Sequence, residues 1–203
     1  MQEFPEIEIS KAKVIAMKKE LLGGFQEICQ PKSPLYLLHF IAAGIIERTL
    51  SNIHAFDLLI ENKNFLCAAS VLRLQIDTAM RGNAFNLVGD PNKLAHHISK
   101  GGRFSNQRDM SGAEMRDVYL RKQLNRKYPW INDVYEQTSG AVHLSNRHLF
   151  AAIGAADGDE KEITMEITGL ANRPEEEFCE IYAAFAESVE ITYRVTLGCW
   201  VSG

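Results

Sequence analysis

Two short stretches carry side chains whose types and spacing could do chemistry. In VLRLQIDTAMRGNAF (71–85), Arg73, Asp77 and Arg81 recur every four residues, so on a helix they stack along one face. In DVYEQTSGAVHLSNRH (133–148), Tyr135, Ser139 and His143 recur at the same interval, with Arg147 four further on. The second stripe offers a phenol, a hydroxyl, an imidazole and a guanidinium. Packed against the first, it would form a polar cluster between helices in which Asp77 orients His143, as a carboxylate fixes an imidazole tautomer. The residues expected to contact a ligand are Arg73, Asp77, Arg81, Tyr135, Ser139 and His143. The ordinary alternative is a surface charge ladder worth a few tenths of a kcal/mol per pair.

The elements that must position these groups read as helices. Val14, Met17, Leu21, Phe25 and Ile28 give a helix over about 7–29 one apolar face. Pro31 and Pro34 break the chain, and Ser33 with Pro34 suit the start of a second helix over about 34–61. ENKN (61–64) is a turn into a third helix over about 65–88, whose apolar and small residues surround much of its circumference. This is the expected central helix, antiparallel to the second. Asp90 and Pro91 open a short helix that stops at Gly101-Gly102. The polar stretch 100–112 reads as a mobile loop. SGAE (111–114) fits a capping box for a helix over about 112–127, and another spans about 131–143. Beyond DGDE (157–160), Ile163, Met165 and Ile167 alternate with polar residues, which predicts a small β-hairpin within about 148–168. Such a hairpin must pack on the helices or pair with a second chain. Pro174 and three glutamates open a closing helix to about 197. The expected fold is mainly α: one domain over 1–203, a bundle of about six to seven helices with a hairpin before the last.

The formal net charge of −4 over 203 residues gives no global pull toward nucleic acid or anionic membrane. RNA contact would need the local basic stretch MRDVYLRKQLNRKYPW (115–130), whose ordinary reading is a solvated helix face. Cys29, Cys67, Cys179 and Cys199 form no CxxC pair and sit in apolar contexts, as reduced core thiols do. No signal-peptide h-region and no membrane-length apolar run is present, so the expected compartment is the cytoplasm. Phosphate-loop, dinucleotide, nucleophile-elbow and zinc-protease motifs are missing. No metal site and no cofactor is expected. Adjacent His96 and His97 point in different directions on a helix, and His39 reads as a satisfied core histidine.

RTLSNIH (48–54) has the Arg-x(4–6)-His spacing of HEPN-type ribonucleases, but six residues at about 100° each leave Arg48 and His54 about 120° apart. The order RLQID (73–77), YEQTSGAVH (135–143), hairpin and closing helix resembles a group of uncharacterised bacterial all-helical proteins. In that group an Arg-x-x-x-Glu/Asp helix precedes a Ser-x-x-x-His segment. The overall plan also resembles HEPN-type bundles, although here the Arg-x-His match falls in the second helix. The resemblance implies a link to phage defence, abortive infection or toxin-like systems, and stress is a further expected setting. Two functions follow as expectations. The first is a non-catalytic helical interaction or ligand-binding protein, a homo-oligomer or the binder of a protein partner. The alternative is a metal-independent ribonuclease or toxin acting on RNA. There His143 would be the general base, with Arg147 or Arg73 stabilising the phosphorane.

Overall fold

A computed structural model describes residues 5–30, 34–142, 153–157, 162–165 and 173–197. Seven helices among the described residues pack as one bundle: α1 (Pro5–Ile28), α2 (Leu37–Glu61), α3 (Phe65–Ala84), α4 (Pro91–Ser99), α5 (Asp117–Lys127), α6 (Ile131–Val142) and α7 (Glu175–Val195). Two strands, Ile153–Asp157 and Glu162–Met165, pair antiparallel. None of the described helices is long and apolar enough to cross a membrane.

α3 is the innermost helix and packs against α2, α5, α6 and α7. Its sequence explains that position. Ala68, Ala69, Leu72, Ile76, Ala79 and Met80 are all buried, and the small residues let neighbouring backbones approach. Gly82 marks the closest approach: a Cβ there would meet Thr196 Cγ2 at 2.7 Å, just beyond the end of α7. Aromatic contacts fasten α7 to the other helices. Phe56 of α2 stacks on Phe185 at 3.9 Å, and Phe65 of α3 meets Phe178 edge-on at 5.5 Å.

Three boundaries differ from the sequence reading, each for a local reason. α2 begins at Leu37, so Pro34 lies outside it, and Ser33 is not among the described residues. Tyr36 is the N-cap, and its N–H donates to the His39 Nδ1 at 3.3 Å. His39 is therefore a half-buried capping group and not a core histidine. α3 ends at Ala84, four residues early, where irregular turns through 85–89 begin. α5 begins at Asp117, and SGAE is not its capping box. Instead Asp109 gathers the preceding segment. Its carboxylate accepts from the Ser111 N–H (2.9 Å), the Ser111 hydroxyl (2.7 Å), the Ala113 N–H (2.9 Å) and the Tyr119 hydroxyl. Gly112 supplies the left-handed backbone (φ +85°) that this turn needs. The stretch expected to be mobile is thus tied by an aspartate turn and an Arg108–Glu114 bridge. Such local side-chain bonding competes with helix initiation.

Burial pushes the Asp109 pKa up, but donation by Tyr119, Ser111 and Ala113 outweighs it and holds the carboxyl below its ordinary value. A depressed folded-state pKa contributes stability that is present above the unfolded value, about 3.9, and lost as pH falls through the folded one. Asp109→Asn keeps one acceptor oxygen and removes the titration. Its melting temperature should therefore fall less steeply than that of the unsubstituted chain between about pH 5 and pH 2. Parallel acid limbs in thermal melts would contradict this role.

The described thiols are free as expected, but only one of them lies in the core. Cys179 is buried, Cys29 is half-buried, and Cys67 is exposed near the start of α3; none of the three is in a disulfide. Cys199 lies outside the described residues.

Candidate functional site: an arginine–tyrosine cluster on the central helix

The charges of α3 are met by three other helices. Asp77 lies between two guanidiniums: Arg48 Nη2 from α2 at 3.2 Å from Oδ2, and Arg81 Nε at 3.2 Å from Oδ1. Arg81 reaches on to Asp117 at the start of α5, at 2.5 Å, and its guanidinium lies 5.1 Å from the Phe104 ring. Arg48, half of the Arg-x-His spacing in the sequence, is a partner of the cluster, while His54 is exposed. The Asp77 and Arg81 side chains are about one-fifth and one-quarter exposed, so these pairs are screened less than fully solvated ones.

Arg73 turns the other way. Its guanidinium carbon lies over the ring of Tyr135 on α6, 3.2 Å from the centroid. Arg121 of α5 approaches the same ring at 4.5 Å. Among the described residues no carboxylate is within ion-pair distance of Arg73. Burial pulls its pKa below the ordinary arginine value, against the opposing pull of Tyr135, Asp77 and Asp117. The group nevertheless stays charged at neutral pH. Among the described residues Arg121 has one carboxylate nearby, Glu136 at 3.6 Å, and that glutamate is 69% exposed. The Nε of Arg121 is buried and finds no hydrogen-bond partner among the described residues. Tyr128 Oη and Asn132 Oδ1, at the α5–α6 corner, are in the same position.

Of the expected contact residues, Arg73 and Tyr135 meet directly, and Asp77 and Arg81 form the adjoining ion-pair chain. Ser139 does not join them, because its hydroxyl donates to the Tyr135 carbonyl of its own helix at 2.7 Å. The α3–α6 seam is also held by Ser70, whose hydroxyl reaches the Ala141 carbonyl at 3.2 Å. His143 and Arg147 lie outside the described residues, and so does the proposed Asp77–His143 contact. His97 is occupied elsewhere: its Nε2 is 3.1 Å from the Arg103 carbonyl oxygen. Among the described residues no three His, Cys, Asp or Glu side chains are gathered as a metal ion would require.

Two groups escaped the sequence reading. Arg121 sits in a basic stretch assigned to a solvated face, yet it directly follows Leu120 and precedes Leu124 by three, both buried. That spacing puts it on the flank of the apolar stripe, where an arginine stem is covered and its head reaches sideways. Gln75 is fully buried. Its Oε1 accepts from Asn52 Nδ2 at 2.9 Å, and its Nε2 donates to the Thr192 hydroxyl at 2.8 Å. Leu72 three before it and Ala79 four after it are both core residues, which is a detectable signal.

The cluster therefore combines a chain of paired charges with a half-buried arginine pair on one tyrosine ring. At an effective dielectric near 20, two cations about 8 Å apart repel by roughly 2 kcal/mol, and 8 Å is the most that distances of 3.2 and 4.5 Å to one centroid allow. What the arrangement can do chemically is hold an anion. The chain matches no family model, no curated protein and no solved structure, so the site's chemistry is read from its own geometry.

Proposed function

We propose that the chain is a non-catalytic helical binding module whose contact site is the cluster of Arg73, Asp77, Arg81 and Tyr135, flanked by Arg121. Arg73 carries the proposal: a cation half withdrawn from water, with no described carboxylate to pair with it. Partial desolvation of an ion is unfavourable without a counter-charge, and an anionic group on a ligand or partner protein supplies one. His143 belongs to the same proposed contact set. The resemblance of RLQID and YEQTSGAVH to bacterial all-helical proteins adds phage defence or stress as the setting. The paired strands at 153–157 and 162–165 are the element we assign to contact with a second copy.

Native mass spectrometry of gently purified protein tests the binding reading. The unsubstituted chain should carry a bound mass that Arg73→Gln and Tyr135→Ala lack. Identical masses for all three proteins would remove the reading.

A metal-independent ribonuclease remains the second reading, favoured by the exposed Lys122, Arg126 and Lys127 on α5, beside the cluster. It requires growth arrest on expression that His143→Ala and Arg147→Ala relieve. Under the binding reading all three proteins are equally harmless and leave RNA intact.

A further inference from the structure

Arg121 narrows the class of ligand. We infer that the cluster seats a phosphate-type oxyanion, the phosphoryl group of a monoester, between Arg73 of α3 and Arg121 of α5; this rests on the binding reading above.

A guanidinium carries five N–H donors. For Arg73 no described carboxylate accepts from them, and for Arg121 the one candidate is 3.6 Å away and mostly in water. Arg121 is itself largely covered, with 17% of its side chain exposed and a buried Nε that lacks a partner among the described residues. Donors are thus in excess on two forks that come from different helices and converge on one ring.

A carboxylate brings a single charge on two oxygens. A phosphoryl group has three terminal oxygens and close to two charges at neutral pH, so it can accept from two forks at once and relieve the repulsion between them. Asp77 and Asp117 bind Arg48 and Arg81, which leaves Arg73 and Arg121 to the ligand. The surroundings favour the same sign. Residues 103–127 carry seven cationic side chains against three acidic ones, in a chain whose net charge is −4. The phosphoryl group is the recognised element, whether it belongs to a small sugar phosphate or to a phosphorylated side chain of a partner.

Isothermal titration with inorganic phosphate at fixed ionic strength, near pH 8, tests the seat. The unsubstituted chain should bind phosphate and ignore acetate. Arg73→Gln and Arg121→Gln should each weaken binding at least about tenfold, and Arg121→Lys, which keeps charge without the fork, by less. Arg126→Gln, on the exposed face of α5, should stay within about twofold. A sugar phosphate and a phosphoserine peptide are the two further arms, and the tighter binder identifies the source. Phosphate binding that survives both Gln substitutions overturns the seat. Failure of phosphate and both esters, with the Arg73-dependent mass still present, overturns the ligand class alone. Loss of that mass as well overturns the binding reading beneath it.

Discussion

Phe56→Ala is expected to lower the unfolding free energy by about 3–5 kcal/mol, among the largest losses available to a single truncation. Phe56 is fully buried. Its ring lies parallel to Phe185 of α7 (3.9 Å, 3°) and receives the edge of Tyr182 (5.2 Å, 83°), so one side chain joins α2 to two turns of α7. Truncation removes the transfer term, opens a cavity and deletes both ring contacts. Tyr182 makes the cavity hard to close. Its hydroxyl donates to Asp57, and burial followed by that carboxylate pushes its pKa far above the ordinary tyrosine value, so the ring is held in place from the other end. Phe56→Leu keeps most of the volume and should cost only about 1–2 kcal/mol. Urea unfolding followed by circular dichroism measures both. A loss under about 1 kcal/mol for Phe56→Ala, at unchanged denaturant sensitivity, would mean that α2 and α7 are held together elsewhere.

Apolar periodicity made the helices legible because burial of one face dominates their stability. Val14 and Leu21 of α1, and Ile45, Thr49, Asn52 and Phe56 of α2, are buried as their spacing requires. Ends were less legible because they are decided by single hydrogen bonds. The Asp109 turn displaces a helix start by five residues, and an imidazole at His39 does the capping expected of Ser33. The site was legible as far as four-residue spacing reaches. That spacing placed Arg73 and Tyr135 on facing stripes, and they meet. It could not show that Asp77 would turn toward Arg48 of α2, since pairings between helices depend on crossing geometry that a single stripe does not encode. Nor could it separate Arg121, on the flank of a buried stripe, from the exposed lysines and arginines beside it.

Gln75→Ala is expected to cost about 3 kcal/mol, although no charge and no aromatic ring is lost. Gln75 lies between three helices: Asn52 of α2 donates to it, and it donates to Thr192 of α7, with Thr49 more distant at 3.4 Å. Both threonine hydroxyls are otherwise served, donating to Ile45 and Ser188 carbonyls, so they lose only an acceptor's donor. The Asn52 amide loses its described acceptor while 92% buried, and leaving such a donor unpaired costs about 1–3 kcal/mol before any cavity is counted. Gln75→Leu restores volume but not the acceptor, and should still cost about 2 kcal/mol. Asn52→Leu with Gln75→Leu removes both partners and should recover most of that loss, giving a coupling of about 1–2 kcal/mol in a double-mutant cycle. The network also sets the rotation of α3. Position 75 is about 200° from both 73 and 77 on a helix, so holding the amide inward turns Arg73 and Asp77 toward α6 and α2. The apolar double variant should therefore be stable yet bind phosphate less well than the unsubstituted chain. Full recovery of stability with unchanged phosphate affinity would show that apolar packing alone orients the central helix. Additive losses in the cycle would show that Asn52 and Gln75 do not share a bond in solution.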